Sequence, residues 1–373
     1  MPDYDYKLYN LKITTITPLH IGTGRALLHE YDYAVYDKKT WVINQSALLE
    51  AQKNIDDPKV AQRLATIPPA QLLTDEDFVE GSKLFRYVLK GRPRSQGEGI
   101  EVQEQFKDVF EHPYIPGSSL KGALRTVIGW YAWKELKLEP DTSLLKPRKE
   151  WAGSTYEQNI FGRDPNHDLL RALHVSDSDP QDASCLSLMN VRVINPGGAE
   201  GAPVQMEAVS PDITFTATLK LDLALYSDWA KKNQLRLSGE NWLKNIPKIA
   251  NERAQERIAA ELEWFKGLKK AGHVLSIYDQ LRRSNLPENQ FILRLGWGTG
   301  WDDKTFGSRL QADDDFMEYI IEHYRLAKGK REAGDAFPSS RRAVVQLQRS
   351  TDGAVEETIA RPLGWLLVEM NPV

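Results

Sequence analysis

The chain has 373 residues, of which 41% are hydrophobic and 27% are charged, and these proportions exclude a disordered protein as the default. Its formal net charge of -4 excludes a globally basic surface, so any polyanion site must be a local group of lysines and arginines. Cys185 is the only cysteine, which excludes an internal disulfide and a cysteine-based metal site and favours a reducing cytoplasm. The sequence shows neither a signal-peptide pattern nor an apolar run that could span a bilayer, so we expect a cytoplasmic protein without membrane contact.

Strands dominate both ends of the chain. Residues 6–17 have the composition of a strand, and Pro18 ends it because proline has no N–H to donate to a sheet. The loop LHIGTG and a hairpin that turns at residues 37–39 follow. Residues 213–225 alternate apolar and polar side chains with period two, which predicts a long, half-exposed antiparallel strand.

Two helices and two closing strands are predicted in the second half of the chain. Apolar residues at helical spacing predict a helix over 258–268, and three aspartates from Asp313 onward suit the positive N-terminus of another. The closing strands are FILRL and LGWLLVEM. Since each half runs from strands through helices to strands, we predict an α+β fold of two domains, 1–195 and 196–373, divided at the turn NPGGAEGAP.

The segment HPYIPGSSLKGALRT, residues 112–126, has the features of an anion-binding helix start. Ser118 or Ser119 is the predicted N-cap, and an apolar stripe follows at helical spacing. Gly117 and Gly122 have P-loop spacing, but the next two residues are Ala-Leu where a nucleotide P-loop needs Lys-Ser/Thr. The segment therefore predicts phosphate binding by a helix N-terminus, assisted by Lys121 and Arg125.

A second glycine-rich stretch, GWGTGW at residues 296–301, follows the strand FILRL. Glycine permits a backbone to approach a ligand closely, but it also serves in ordinary turns, and this stretch lacks the dinucleotide-binding spacing. Trp297 and Trp301 are either core residues or platforms for base stacking.

The stretches YIPGSSLKGALRT and ITPLHIGTG resemble the signature segment and the first strand and loop of the RAMP superfamily, the RNA-binding subunits of CRISPR effector complexes. The later pieces IFGRDP, LHVSDSDP, LRLGWGTGWDDKTFG and RPLGWLLVEM follow the order seen in the fifth Csm subunit, which caps type III-A complexes. This resemblance implies two ferredoxin-like, RRM-related domains with antiparallel sheets and inserted helices. It also implies a place at one end of a filament of backbone subunits, contact with the 3′ part of the guide RNA (crRNA), and support of crRNA maturation through recruited host nucleases.

We accordingly predict a non-catalytic RNA-binding subunit whose partners are crRNA and other Csm subunits, with no cofactor and no metal. Glycine loops and a helix start can hold a sugar-phosphate backbone without reading its bases. The predicted RNA-binding residues are His20, Gly22, Gly24, Gly117, Ser118, Ser119, Lys121, Arg125, Gly296, Gly298, Gly300 and Lys304.

Three alternatives remain open from the sequence. The first is an endoribonuclease that cuts crRNA precursor or target RNA through His20 or Asp32, since a histidine beside phosphate can act as a general acid or base. The second is a scaffold that touches protein only. The third is a divalent cation held by four carboxylates of two acidic segments, Asp177, Asp179, Asp302 and Asp303.

Overall fold

The computed structural model describes residues 5–52, 56–95, 97, 99–196, 200–327, 331–349 and 355–373. Within them the strands are β1 Tyr6–Thr15, β2 Gly22–Leu28, β3 Tyr33–Tyr36, β4 Lys39–Ile43, β5 Phe85–Lys90, β6 Glu101–Gln105, β7 Leu173–Val175, β8 Leu186–Ile194, β9 Glu200–Val209, β10 Thr214–Asp222, β11 Gln290–Arg294, β12 Arg341–Arg349, β13 Val355–Arg361 and β14 Trp365–Pro372. The helices are α1 Gln45–Glu50, α2 Pro58–Thr66, α3 Gly117–Glu135, α4 Ser154–Phe161, α5 Asp228–Lys232, α6 Glu240–Lys244, α7 Ile246–Lys266, α8 Gly272–Arg283, α9 Trp301–Lys304, α10 Gly307–Leu310 and α11 Asp314–His323.

The smaller sheet has five strands in the order β11-β14-β1-β10-β7, and all four pairings are antiparallel. Strand β1 lies at its centre, between β14 and β10, and buries alternate side chains such as Leu11 and Ile13 against the core. On β10 the apolar residues Phe215, Leu219 and Leu221 are buried, while the polar residues between them are not. The period-two pattern of the sequence therefore marks the face of this sheet that meets the core.

The larger sheet runs in the order β2-β6-β9-β8-β5-β4-β3, and β12 and β13 extend it from β8. Its pairings are antiparallel except for β5 with β8 and β6 with β9. The turn between β3 and β4 has positive φ at Asp37 and Lys38, as a tight two-residue hairpin requires. The fold class is thus confirmed: an α+β chain with two antiparallel-rich sheets and inserted helices, as expected for ferredoxin-like RAMP domains.

Helices α3 and α7 pack against each other and against the smaller sheet. The predicted apolar stripe of α3 is confirmed, since Leu120, Leu124, Val127 and Ile128 are buried. The predicted helices of the second half are α7 and α11, and the Asp313 side chain accepts a hydrogen bond from the Phe316 N–H at the start of α11. Within the described ranges no helix is long and apolar enough to cross a membrane.

Two expectations about local structure are wrong. Helix α3 begins at Gly117, and its N-cap is Pro116 without a side-chain hydrogen bond, so neither Ser118 nor Ser119 caps it. The glycines of the LHIGTG stretch lie in β2 rather than in a loop, because Gly22 pairs with Gln105 of β6.

The predicted division at residues 195 and 196 lies between β8 and β9, which are antiparallel neighbours in one sheet. Three residues of the predicted turn, 197–199, lie outside the described residues. Strand β1 pairs with β10 and β14, so both sides of the division contribute to the smaller sheet as well. The two-domain boundary stays a prediction, and limited proteolysis of the full chain would test it.

Candidate nucleic-acid interface

A cleft of about 560 Å³, here called the glycine groove, lies between residues 20–24, one face of α3 and residues 294–304. It brings together three segments that are far apart in the sequence. Of the predicted RNA-binding residues, the groove is lined by His20, Gly22, Gly24, Ser119, Gly296 and Lys304.

The two walls of the groove are joined by main-chain contacts. The N–H of Trp297 donates to the carbonyl of His20 at 2.8 Å, and the N–H of Gly364 donates to the carbonyl of Pro18 at 2.9 Å. Gly296 has a φ of +94°, and a Cβ there would lie 2.7 Å from the carbonyl oxygen of His20. Only glycine fits both the conformation and the space, so the first glycine of GWGTGW serves this junction.

Gly122 gives the clearest sign that a ligand approaches the groove. It lies inside α3 and lines the groove, and apart from its chain neighbours and the adjacent backbone of α3, no atom of the described residues would come within 4 Å of a Cβ placed there. Alanine would fit without strain and would stabilise the helix by about 0.5–1 kcal/mol. Packing therefore gives no reason for glycine at this position, whereas close approach of a ligand backbone does.

The rim of the groove carries positive charge. Lys304 is exposed, and burial of part of its side chain together with the charge of Arg342 lowers its pKa. The guanidinium of Arg342 lies 5.2 Å from the ring centroid of Trp297. Neither cation forms an ion pair with any described residue, which leaves both available to an anionic ligand. Arg342 thus occupies one face of the Trp297 ring, which leaves only the other face for stacking on a base.

The floor of the groove is a buried ion-pair network. Arg294 Nη1 lies 2.8 Å from Asp303 Oδ2, and Asp302 lies beside Arg257 and Arg341. The paired acidic residues of WDDK thus bind arginines. The other acidic segment lies elsewhere, and the described part of the chain contains no cluster of three His, Cys, Asp or Glu side chains suited to a metal.

His20 lines the groove but is held as a neutral, structural side chain. Its Nδ1 lies 2.7 Å from the carbonyl oxygen of Glu207, so Nδ1 carries the proton and donates it. Burial lowers the pKa of His20 to about 4. The uncharged ring offers Nε2 as an acceptor near Gly22 and does not attract phosphate by charge at neutral pH.

A polar network under β2, β6 and β9 fixes this part of the wall. The buried carboxylate of Glu207 accepts from Tyr87 OH at 2.8 Å, from the Gln105 N–H at 2.9 Å and from Lys107 Nζ at 2.6 Å. The side-chain Oε1 of Gln105 in turn accepts from the N–H of Ile21 at 3.0 Å. The loop that carries His20 therefore rests on fully bonded buried groups.

Asp32 stands apart from the groove and closes a turn between β2 and β3. Its Oδ2 accepts from the N–H of Leu28 at 2.8 Å, and its Oδ1 accepts from Gln45 Nε2 at 3.2 Å. Asp32 lies in the turn, and the next strand begins at Tyr33.

The N-terminus of α3 is already occupied by an anion, and this anion belongs to the protein. The N–H of Gly117 donates to Asp177 Oδ1 at 2.7 Å, and a Cβ on Gly117 would lie 2.4 Å from the carbonyl oxygen of Val175. The predicted anion site at the helix start is thus filled by a carboxylate of the segment LHVSDSDP. Ser118 is exposed beside it and does not line the groove.

Lys121 and Arg125 lie on a different face of α3, in a second cleft formed with residues 151–171. Arg125 Nη1 lies 3.1 Å from Glu157 Oε1, and its guanidinium lies 4.0 Å from the ring centroid of Phe161. Burial lowers the pKa of Lys121, which Asp168 partly offsets. The structure therefore separates these two cations from the glycine groove.

The last two predicted glycines shape the loop rather than line the groove. Gly298 has a φ of +86°, and a Cβ there would lie 2.7 Å from Leu363 Cδ1. Gly300 has a φ of +85° and precedes α9. Gly122 and Thr126 are among the groove residues that were not predicted, although a glycine inside a helical pattern was a usable signal.

The model of the RAMP superfamily matches residues 12–306. The chain belongs to the RAMP superfamily. The likeness extends to Csm5 proteins, so the resemblance seen in the sequence is confirmed. A protein from Streptococcus thermophilus named CRISPR system Cms protein Csm5 is 27% identical over 254 residues, which are 59% of this chain and 66% of that protein, slightly under two thirds of its length. A protein of the same name from Methanocaldococcus jannaschii is 21% identical over 377 residues, which cover 95% of this chain and 87% of that protein.

Two solved structures share the fold over nearly the whole chain. One is a chain of the Csm-crRNA-target RNA ternary complex of a type III-A CRISPR-Cas system, solved by cryo-EM, with a TM-score of 0.68 and 23% identity over 97% of this chain and 100% of that one. The other is the crystal structure of T. onnurineus Csm5, with a TM-score of 0.63 and 21% identity over 95% of this chain and 99% of that one.

Proposed function

We propose that this RAMP-superfamily chain is a non-catalytic, RNA-binding subunit of a type III-A CRISPR effector complex, and that the glycine groove holds the backbone of crRNA. Its partners are crRNA and the other Csm subunits, and it caps the backbone filament near the crRNA 3′ end, where recruited host nucleases complete maturation. The similarity to Csm5 proteins supports membership of the effector complex, and the glycine groove supports binding of RNA.

The observation that carries the RNA-binding proposal is the open position at Gly122, opposite the glycines of β2 and beside the unpaired Lys304. A wall of glycine backbone can approach a sugar-phosphate chain closely, and a nearby ammonium neutralises phosphate without selecting a base. A neutral His20 Nε2 adds a hydrogen-bond acceptor for a ribose hydroxyl.

Two groups that could cut RNA are engaged elsewhere, which supports a holding function. His20 Nδ1 is bound to the Glu207 carbonyl, and the carboxylate oxygens of Asp32 accept hydrogen bonds from the Leu28 N–H in its own turn and from Gln45 of α1. His20 and Asp32 therefore do not form one site, which favours the non-catalytic proposal over an endoribonuclease.

The experiment is binding of single-stranded guide RNA to the purified full chain across a salt series, with and without Mg²⁺. Lys304→Ala should lower the log-log salt slope by about 0.7, the value for one phosphate contact on a single strand. The double variant Lys121→Ala with Arg125→Ala is the matched control, because the two cations that it removes face the second cleft. Comparing the two variants separates the two groups of predicted RNA contacts.

An equal loss from both sets of variants would extend the RNA path onto the second cleft. An unchanged log-log salt slope for Lys304→Ala would exclude the glycine groove as the RNA site. RNA that is cut reproducibly, and stays whole with His20→Ala or Asp32→Ala, would establish the endoribonuclease instead. If the native chain binds no guide RNA, the remaining hypothesis is a scaffold that touches protein only.

A further inference from the structure

A small, partly open cavity of about 20 Å³, here called the arginine cavity, adjoins the floor of the glycine groove. It shares Ala123, Arg294 and Asp303 with the groove above it, while α7 contributes Arg253 and Arg257. The rest of its lining is apolar. A cavity of this size has room for a single water-sized ligand and excludes a phosphate group.

The charges around the arginine cavity do not balance. Four arginines and three carboxylates form the buried network: Arg253, Arg257, Arg294, Arg341, Glu261, Asp302 and Asp303. The three carboxylates pair with the other arginines, and Arg253 forms no ion pair with a described residue. A single positive charge is therefore left over.

Arg253 carries this excess charge. Its Nη2 donates to the main-chain carbonyl of Asp302 at 2.7 Å and lies 3.4 Å from that of Thr305. The nearby carboxylate of Glu256 is bound by Trp130 Nε1 at 3.0 Å and so is engaged outside the cavity. Burial lowers the pKa of Arg253 to about 10, which still leaves it protonated at neutral pH.

Two buried donors at the cavity lack an acceptor within the described ranges. They are Nη1 of Arg253 and Nε of Arg257, and both residues are more than nine-tenths buried. Arg257 Nε lies 3.3 Å from Asp303 Oδ1 but without hydrogen-bond geometry. A buried donor left unpaired costs about 1–3 kcal/mol, so two of them beside a cavity of ligand size indicate that an acceptor binds there.

We propose that the arginine cavity binds one monoatomic anion of the halide class, with chloride as the natural ligand. A halide accepts hydrogen bonds from Arg253 and Arg257 and cancels the excess positive charge. Water would satisfy the two donors but not the charge, and among the described lining residues only Asp303 has a side-chain acceptor for its hydrogens. Because the cavity underlies Arg294 and Asp303, the anion stabilises the floor of the groove and does not depend on RNA binding above it.

The deciding experiment is anomalous diffraction from crystals of the full chain grown or soaked in bromide. A bromide peak within hydrogen-bond distance of Arg253 and Arg257 supports the proposal, and density of a water without an anomalous peak overturns it. This measurement uses the native chain and so does not depend on whether any variant folds.

Thermal unfolding of the native chain, with chloride titrated against gluconate at constant sodium concentration, gives a second readout. The midpoint should rise with chloride by about 2 °C or more and then saturate, as expected for one ligand of the folded state. Arg253→Met should abolish this dependence, while the exposed Arg25→Met should retain it. Equal midpoints in chloride and gluconate for the native chain count against the proposal.

Discussion

Replacing Gly122 by alanine should make the protein more stable and a poorer RNA binder at the same time. Beyond its chain neighbours and the adjacent backbone of α3, the added methyl group meets no described atom within 4 Å, so the folded chain accepts it without strain. Removing a glycine from inside α3 stabilises the helix by about 0.5–1 kcal/mol, which raises the midpoint of urea unfolding.

The same methyl group projects into the groove, where it displaces the RNA backbone from the helix. The loss of one neutral contact is worth about 0.5–1.5 kcal/mol, so Kd should rise by roughly 2–10-fold. Gly122→Leu fills more of the groove and should weaken binding further. The assay is fluorescence anisotropy with labelled single-stranded guide RNA at fixed salt, paired with urea unfolding of each variant.

Gly272→Ala is the matched control, because Gly272 begins α8, also has open space at its Cβ position and does not line the groove. It should leave RNA affinity unchanged. A Gly122→Ala protein that is more stable and binds RNA as tightly as the native chain would refute the assignment of the groove, since stability then could not explain the result.

Three further variants probe the support of the groove. Lys107→Met leaves a buried carboxylate without its cation and should cost about 3–5 kcal/mol in chemical unfolding, whereas Lys39→Met, from an exposed pair, should change little; similar losses would contradict the difference in burial. The folded pKa of His20, about 4, lies below the unfolded value near 6.5, so its contribution is present above pH 6.5 and is lost as pH falls towards 4; at pH 5 the loss is about 2 kcal/mol. His20→Gln should show a smaller fall in stability between pH 7 and 5, and an equal fall would exclude His20 as the cause. Asp177→Ala removes the acceptor at the first N–H of α3 and should lower stability by about 0.5–2 kcal/mol, which an unchanged urea midpoint would disprove.

Local periodicity was sufficient to predict the main elements near the site. The alternation of β10 and the apolar stripe of α3 follow from side-chain burial on one face, and such patterns are local in the sequence. The partner of the α3 N-terminus was not predictable in this way. Asp177 lies 60 residues beyond Gly117 in sequence, and only the pairing of β7 with β10 brings its segment to the helix.

The split of the predicted RNA-binding residues has the same physical origin. Spacing on α3 correctly predicts that Lys121 and Arg125 share a flank, but which flank meets the glycine loops depends on how α3 packs. Likewise, the acidic pair of WDDK looked like a cation site because one of its arginine partners, Arg257 of α7, lies more than 40 residues away, and its nearer partner Arg294 belongs to a different element, β11. The sequence showed the charges, and the tertiary fold determined their partners.

The central position of β1 has a consequence for biosynthesis. Its two neighbours, β10 and β14, leave the ribosome roughly 200 and 350 residues later. Both edges of β1 therefore stay unpaired until these strands have been translated. The carbonyl of Trp365 accepts from the N–H groups of Ile16 and Thr17, next to the groove wall. The last strand thus supports the segment that leads to the groove, and a chain that stops short of it leaves one edge of β1 unpaired. The smaller sheet can therefore reach its full set of pairings only after the final strand has been translated.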